Sequence, residues 1–242
     1  DAGLSPDAGR IADASVPDAA PRVRVATFNV RRLFDTVCDS GACGPGDFEE
    51  VVTPAELEAR ATQLAGAIEG LKANAVLLQE IETEAALEAL ASRFNRRYPV
   101  AILGEIGVPG SVDVAVLAEG ELLEVRRHRA RPIVRPDGSE TRFARELLEV
   151  HLLLEGRRVV VFSAHFRSQR SDDAGRRLAE AQAAAEIVSA TEAEFPEALV
   201  VFGGDLNDVP GSATIDALEA SGELLRVARE LSGDAAATYF YN

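Results

Sequence analysis

The chain has 242 residues, of which 47% are hydrophobic and 27% are charged, so it can bury a sizeable core as one domain. No apolar run approaches the roughly 20 residues that span a bilayer, which predicts that the protein is not an integral membrane protein. The formal net charge of −15 disfavours tight, non-specific binding to nucleic acid through overall charge.

The first 21 residues differ in composition from the rest. They repeat Pro-Asp-Ala at residues 6–8 and 17–19 and contain few apolar side chains, which is typical of a flexible tether. Residues 22–242 are predicted to form the domain, which we expect to be monomeric. A tether behind a cleaved export signal or a lipid anchor fits a secreted or periplasmic protein, although a trimmed end would look the same.

Apolar patterns predict strands and helices that alternate along the domain. Strands are predicted at residues 23–29, 75–80, 112–117, 122–125, 147–154, 159–165 and 198–205. Helices are predicted at residues 54–71, 84–94, 176–194 and 215–220, the first with Thr53 as its cap and Pro54 in its first turn. Tight turns between strands favour antiparallel pairing, and outer helices indicate a layered α/β sandwich.

A loop with two cysteines follows the first strand. Cys38 and Cys43 flank a turn-forming insert and are predicted to form a small disulfide loop, which favours an oxidising compartment. Two free thiols are the alternative, and a zinc site is disfavoured because no histidine lies nearby. The loop also carries acidic residues that suit a structural Ca²⁺ or are simply solvated: Asp35, Asp39, Asp47, Glu49 and Glu50.

Four apolar runs end at residues that metal-assisted phosphate chemistry uses. The runs end at Asn29, Glu80, His165 and Asp205, and Asn207 follows the last. Mg²⁺ is held by one or two carboxylates plus waters, and amide groups hydrogen-bond a phosphate without adding repulsive charge. A histidine exchanges protons near neutral pH. Because ligand sites gather at strand ends in layered folds, we expect one shared site.

These residues lie in short motifs whose order resembles that of a known family. The motifs are Thr27-Phe28-Asn29-Val30, Leu78-Gln79-Glu80, Phe143-Ala144-Arg145-Glu146, Ser163-Ala164-His165 and Gly204-Asp205-Leu206-Asn207-Asp208. They resemble the endonuclease/exonuclease/phosphatase superfamily, which includes pancreatic-type deoxyribonucleases, abasic-site endonucleases, sphingomyelinases and inositol-polyphosphate phosphatases. The resemblance implies a deoxyribonuclease-like, four-layered α/β sandwich, in which two mixed, mainly antiparallel sheets are covered by outer helices.

The resemblance also implies roles for individual residues. Glu80 matches the principal carboxylate for Mg²⁺ or Mn²⁺, and Asn29 matches the amide that supports this metal site and contacts phosphate. Asp205, also a metal ligand, matches with Asn207 the pair that positions the attacking water. His165 matches the histidine that binds the scissile phosphate or acts as an acid. Arg145 matches a contact to the substrate phosphate.

The end of the sequence departs from the family pattern. The family closes with an Asp on the penultimate strand and a Ser-Asp-His-like motif on the last, whereas Thr238–Tyr241 resembles the segment before them. The terminal Asp-His pair that would activate water has no match. We expect that the sequence is a fragment of a longer protein, or else that this member has lost part of its catalytic apparatus.

Several charged residues outside the motifs need an interpretation. Five arginines are predicted to rim the site, Arg145 and Arg167 as phosphate contacts, although all five can be ordinary surface residues: Arg31, Arg32, Arg145, Arg167 and Arg170. His128 is predicted to be solvated, and His151 to be a satisfied core histidine. Glu105 is a candidate to orient His165, and Asp113 is predicted to be a hydrogen-bonding turn residue.

Together these observations favour a secreted or periplasmic, Mg²⁺-dependent phosphodiester hydrolase with nucleic acid as its leading substrate. A phosphatase or a phospholipase that acts on small phosphoesters is the alternative within the superfamily. A non-catalytic phosphate-binding module that keeps the scaffold is the alternative of another class.

Overall fold

A computed structural model describes residues 22–171 and 173–231. Its core is two four-stranded sheets and four α-helices. The first sheet contains β1 (Val25–Leu33), β2 (Ala75–Ile81), β3 (Val100–Gly104) and β4 (Asp113–Ala118). The second contains β5 (Glu121–Arg127), β8 (Leu148–Leu154), β9 (Arg157–His165) and β10 (Leu199–Asp205), and β6 (Ile133–Val134) pairs with β7 (Glu140–Thr141) as a separate hairpin.

Both large sheets are mixed. The first has the strand order β1-β2-β4-β3 and the second β10-β9-β8-β5. Only the pairs β1–β2 and β9–β10 are parallel, whereas the other pairs among the described strands are antiparallel. The parallel pairs are joined through helices, as parallel connections require. This confirms the expected mixed, mainly antiparallel pairing.

The sheets pack face to face and helices cover their outer surfaces. An apolar layer between the sheets contains Leu77, Val116, Val150 and Val161. A second cluster packs the helices α1 (Pro54–Leu71) and α2 (Glu84–Ala91) on the first sheet, and a third packs α3 (Ala174–Glu194) and α4 (Ala213–Glu219) on the second. The architecture is therefore the expected four-layered α/β sandwich.

Local sequence explains where the first helix begins. The hydroxyl oxygen of Thr53 accepts a hydrogen bond from the Glu56 N–H, and the Glu56 carboxylate accepts one from the Thr53 N–H. Such a capping box satisfies donors that helix geometry leaves unpaired. The helix spans the predicted residues, and Lys72, in the left-handed conformation, caps its C-terminal end. Its apolar stripe packs on β1 and β2.

The structure differs from the sequence expectation in three elements. The strand β3 and the hairpin β6–β7 were not predicted, and the predicted helix 84–94 ends at Ala91 and continues as a 3-10 turn from Ser92 to Phe94. The hairpin strands have two residues each, too few to show an alternating pattern. The predicted tether at residues 1–21 and the Thr238–Tyr241 segment lie outside the described residues.

Among the described helices, none combines the length and the apolar character needed to cross a membrane.

Candidate functional site

One edge of the sandwich brings together Asn29, Glu80, His165 and Asp205. The last three lie at or next to the ends of their strands, whereas β1 continues to Leu33, past its predicted end at Asn29. In the first sheet, Asn29 of β1 pairs with Gln79 of β2, so it lies beside Glu80. In the second, Asp205 of β10 pairs with His165 of β9. Because β1 packs against β10 across the sandwich, both pairs of residues face the same space. The expectation of one shared location is met for these residues.

The side chain of Asn29 joins the two sheets. Its Nδ2 atom donates to Glu80 Oε1 over 3.1 Å and to Asp205 Oδ2 over 3.0 Å. Its Oδ1 atom accepts from the Arg31 backbone N–H over 2.8 Å, which fixes the orientation of the amide. One uncharged group thus holds two carboxylates together. Hydrogen bonds to ionised acceptors of this kind are stronger than those between neutral groups.

The backbone around Glu80 is in an uncommon conformation. Glu80 has φ 70° and Arg31 has φ 57°, in the left-handed region that L-residues seldom occupy. The pairing register also shifts in both strands, between Asn29 and Leu33 and between Gln79 and Ile81. Such irregularities redirect side chains and concentrate at functional sites. Here they redirect the chain at the ends of β1 and β2.

The turn after β10 positions Asp205 and Asn207. Asp205 Oδ1 accepts from the Asn207 backbone N–H over 3.0 Å. The Asn207 side chain donates to the Phe166 carbonyl oxygen over 3.1 Å, and its φ is 50°. Gly204, with φ 147°, has no room for a side chain, because a Cβ atom there would collide with the Ala164 backbone. The glycine therefore allows β10 to approach β9 closely beside the site.

His165 lies at the floor of the site. It is 7% exposed, and its Nδ1 atom is buried without a hydrogen-bond partner among the described residues. Burial and then the nearby Arg145 guanidinium lower the pKa of His165, against the opposing effect of Asp205 and Glu80. This shift favours the neutral form of the imidazole. Glu105 does not orient this ring in the described structure, since its Oε1 accepts from the Gly107 N–H instead.

Among the predicted rim arginines, Arg145 lies near Glu80, and Arg167 lies beside Arg145. Arg145 donates from Nε to the Val112 carbonyl oxygen over 2.8 Å, and Glu80 and Arg167 both lie close enough to affect its pKa, which burial lowers. Arg167 has a buried Nε atom without a partner in the described ranges. Arg32 instead lies 4.7 Å from the centroid of the Phe48 ring.

Glu180 positions these two arginines and was missed by the sequence reasoning. Its carboxylate accepts from the Ala144 N–H over 2.6 Å and from the Arg167 N–H over 2.7 Å, so α3 joins the segments that carry Arg145 and Arg167. Burial raises the pKa of Glu180, while these hydrogen bonds lower it. The sequence does contain one indication of this role, because Glu180 is a glutamate on the apolar, alanine-rich side of the predicted helix.

A buried polar network on the second sheet lies apart from the shared site. His151 is fully buried and contacts Glu149 over 2.6 Å, which agrees with the predicted core role. His128 was predicted to be solvated, but its Nε2 atom also contacts Glu149 over 2.6 Å. Glu149 itself is fully buried, and it recruits both rings because a buried carboxylate requires hydrogen-bond partners. Asp113 accepts from the Ser111 hydroxyl, as expected of a turn residue.

The side chains at the site suit a hard divalent cation. Two carboxylates, Glu80 and Asp205, come close enough to share the amide of Asn29, and no lysine or arginine forms an ion pair with either in the described part of the chain. Mg²⁺ prefers one or two carboxylates and completes its shell with waters and substrate oxygens. The site therefore fits this class of metal.

Comparison with a family model identifies the family of the chain. The model for the endonuclease/exonuclease/phosphatase family matches residues 24–232. The chain belongs to this family. The members of the family are phosphoester hydrolases that typically use divalent metals, and the matched range includes each of the five motifs quoted above. Among curated protein sequences, no match was found.

Solved structures of family-like proteins confirm the fold. Sphingomyelinase C from Streptomyces griseocarneus is 22% identical with a TM-score of 0.59, covering 85% of this chain and 71% of that one. A humanized D. rerio TDP2 is 17% identical with a TM-score of 0.52, covering 85% and 72%. The chain spans only 45% of the C. elegans TDP2 structure, at 22% identity, 65% coverage of this chain and a TM-score of 0.48. The likenesses to sphingomyelinase C and to the D. rerio TDP2 establish a deoxyribonuclease-like fold and nothing finer.

Proposed function

We propose that this chain is a phosphodiester hydrolase that uses Mg²⁺ or Mn²⁺ at the site formed by Asn29, Glu80 and Asp205. The observation that carries the proposal is the Asn29 amide, which donates to both carboxylates from opposite sheets. A purely structural strand end has no need for two acidic groups beside one another, because their mutual repulsion is unfavourable. A cation bound between them removes that repulsion.

Each residue of the site would have its own role in hydrolysis. Glu80 and Asp205 would hold the cation with support from Asn29, and the bound cation neutralises charge on the phosphoryl oxygens. Asp205 and Asn207 orient the attacking water. His165, whose burial favours the neutral imidazole, would donate a hydrogen bond to a phosphoryl oxygen as negative charge develops there. Arg145 and Arg167 bind the phosphate through their guanidinium groups.

Nucleic acid is the leading substrate class, in spite of the overall charge of −15. The arginines beside the site supply a local positive potential where the backbone phosphates would lie, and local charge rather than net charge governs contact at the site. A single phosphoester, as in a sphingomyelinase or an inositol-phosphate phosphatase, is the second candidate. The solved sphingomyelinase C is named for such a lipid substrate, although its likeness to this chain is one of fold.

The Cys38–Cys43 disulfide supports a secreted or periplasmic location, as the loop sequence predicts. The two sulfur atoms are bonded in the structure. Disulfides persist in oxidising compartments and are rare in reducing ones. The proposed enzyme would therefore act on phosphoesters outside the reducing cytosol.

Metal binding gives the first test, because it does not depend on which group acts as general base. Isothermal titration with Mg²⁺ and Mn²⁺ is expected to show binding to the full chain and a loss of at least about tenfold in affinity for Glu80→Gln. Glu88→Gln, on the exposed side of α2, is a matched control for the loss of one charge. Equal affinities for all three proteins would remove Glu80 from the site.

Hydrolysis distinguishes the candidate functions. Supercoiled plasmid DNA, sphingomyelin vesicles and an inositol polyphosphate are each incubated with the chain and Mn²⁺, with Glu80→Gln in parallel. Cleavage of the plasmid that Glu80→Gln lacks would support the nuclease. Cleavage of only the sphingomyelin or only the inositol polyphosphate would instead indicate a phospholipase or a phosphatase. Metal-dependent phosphate binding without turnover would indicate the binding module.

A further inference from the structure

A second acidic cluster lies at the disulfide loop. One carboxylate oxygen from each of Asp39, Glu49 and Glu82 lies within 4.8 Å of the other two. Glu49 and Glu82 are each 2% exposed, whereas Asp39 lies at the surface. In the described ranges, no arginine or lysine forms an ion pair with any of the three. Three carboxylates at this spacing repel one another unless positive charge lies between them.

The hydrogen bonds of the cluster leave one buried oxygen without a partner among the described residues. Glu49 accepts from the backbone N–H groups of Asp39 and Ser40, over 2.5 and 2.7 Å, and so organises the loop. Glu82 Oε2 accepts from the Asp35 N–H over 2.8 Å. Glu82 Oε1 is buried and has no partner among the described residues. A buried oxygen without a partner is unfavourable, which makes it the ligand atom that a cation would use.

The surroundings are shaped for close contact. Gly110, with φ 68°, lies against Glu49, and a side chain at this position would collide with the Glu49 carboxylate. A cleft of about 280 Å³, lined by Asp39, Glu82 and Glu105 among others, opens beside the cluster. The other acidic residues of the loop serve different contacts. Asp47 accepts from the Gly44 N–H, and Glu50 lies 3.9 Å from Arg32.

We propose that Asp39, Glu49 and Glu82 bind a Ca²⁺ ion that ties the Cys38–Cys43 loop to the end of β2. Ca²⁺ takes six to eight oxygen ligands at 2.3–2.6 Å in flexible geometry, so opposite oxygens around it are separated by roughly 4.6–5.2 Å. A set of three carboxylates suits Ca²⁺ better than Mg²⁺, which is usually bound by one or two. The neighbouring sulfur atoms do not compete, because they are bonded to each other.

The site is separate from the proposed catalytic metal site, although Glu82 follows Glu80 by two residues. In a regular strand, residues two apart point to the same face because side chains alternate between the faces. The register shift between Gln79 and Ile81 interrupts this alternation here. The Glu80 carboxylate contacts Asn29, whereas the Glu82 carboxylate contacts Asp35. The next residue, Thr83, caps α2. Each site can therefore be removed without changing a ligand of the other.

Titration of the full chain with CaCl₂ alone tests the proposal. Calorimetry is expected to show one Ca²⁺ site, and Asp39→Asn is expected to weaken it at least about tenfold. The exposed position of Asp39 makes this variant compatible with folding, which far-ultraviolet circular dichroism checks. Glu50→Gln removes the same charge from the same loop and should bind as the original chain does. Glu82→Gln is the second variant and should also lose the site.

Two outcomes would overturn the proposal. Ca²⁺ affinity that Glu80→Gln abolishes and Asp39→Asn preserves would place the ion at the catalytic site instead. An absence of binding at millimolar Ca²⁺ would show that the cluster is not a Ca²⁺ site. Retained binding in Glu80→Gln together with its loss in Asp39→Asn would establish the site whatever becomes of the hydrolytic activity.

Discussion

Replacement of Gly204 by alanine is expected to lower both the free energy of unfolding and the affinity of the site for metal. Gly204 has φ 147°, and a Cβ atom there would collide with the carbonyl oxygen, carbonyl carbon and nitrogen of Ala164. These are backbone atoms of the neighbouring strand, so no side-chain rotation relieves the contact. Gly203 offers a matched control, because its Cβ would be too close only to the Leu77 Cδ1 atom, at 2.9 Å, and would lie at an ordinary contact distance of 3.8 Å from the Thr27 Cβ atom.

The magnitude follows from the local geometry. A non-glycine residue in such a conformation costs about 1–3 kcal/mol, and separation of β9 from β10 at this point removes at least one ladder hydrogen bond, worth about 1 kcal/mol. Gly204→Ala is therefore expected to lower the free energy of unfolding by about 3 kcal/mol. For Gly203→Ala we expect about 1 kcal/mol, since the end of a leucine side chain can move.

Urea unfolding followed by circular dichroism measures this difference. With a slope of about 2 kcal/mol per molar, the midpoint of Gly204→Ala should fall by about 1.5 M. Asp205 is the next residue, so affinity for Mn²⁺ should also fall in this variant and persist in Gly203→Ala. Equal midpoints for the two variants would refute the argument that close contact between β9 and β10 determines the position of Asp205.

Two further predictions concern stability away from the site. Although burial opposes it, hydrogen bonds from His128 and His151 lower the pKa of Glu149 from 4.5 to about 2, so about 3 kcal/mol of stability should be present above pH 4.5 and lost as the pH falls towards 2. Urea midpoints from pH 7 to pH 2 should show that Glu149→Gln lacks this slope, and an unchanged slope would exclude Glu149 as its source. The Cys38–Cys43 bond closes a short loop and should contribute about 2 kcal/mol by chain entropy. Intact mass should show both thiols blocked to alkylation until reduction, and freely alkylated thiols in oxidised material would contradict the pairing.

Much of the fold could be predicted because its signals are local. The helix at 54–71 has a cap, a proline in the first turn and an apolar stripe within one short segment. The strand that ends at His165 is a continuous apolar run, as expected of a strand buried on both faces. The strand that ends at Asp205 is also a continuous apolar run, although it is only half-buried among the described residues. The strand β3 has a similar composition but is only five residues long. Its pairing with β4 depends on contacts that local patterns do not reveal.

The candidate site was predictable in its residue types but not in its contacts. Strand-end positions indicated Asn29, Glu80 and Asp205, yet no local pattern shows that one amide contacts both acids. Glu180 is the clearest omission, since a carboxylate that accepts from two backbone N–H groups has no sequence signature apart from its place on an apolar helix face. The Ca²⁺ cluster shows the same limit, because Glu82 lies far along the chain from the loop acids that it joins.

The contact between Asn29 and Asp205 spans 176 residues of sequence and the whole thickness of the inter-sheet core. One metal carboxylate candidate belongs to each sheet, so the distance between them is set by how closely the sheets pack rather than by either strand alone. A cation that binds both carboxylates must therefore favour the packed arrangement over the separated sheets. By mass action, a ligand at 100 times its dissociation constant stabilises the folded state by about 2.7 kcal/mol. The same contacts that would position a phosphodiester thus also hold the two sheets together. Substitutions in the inter-sheet layer near Leu77 should therefore lower metal affinity as well as stability.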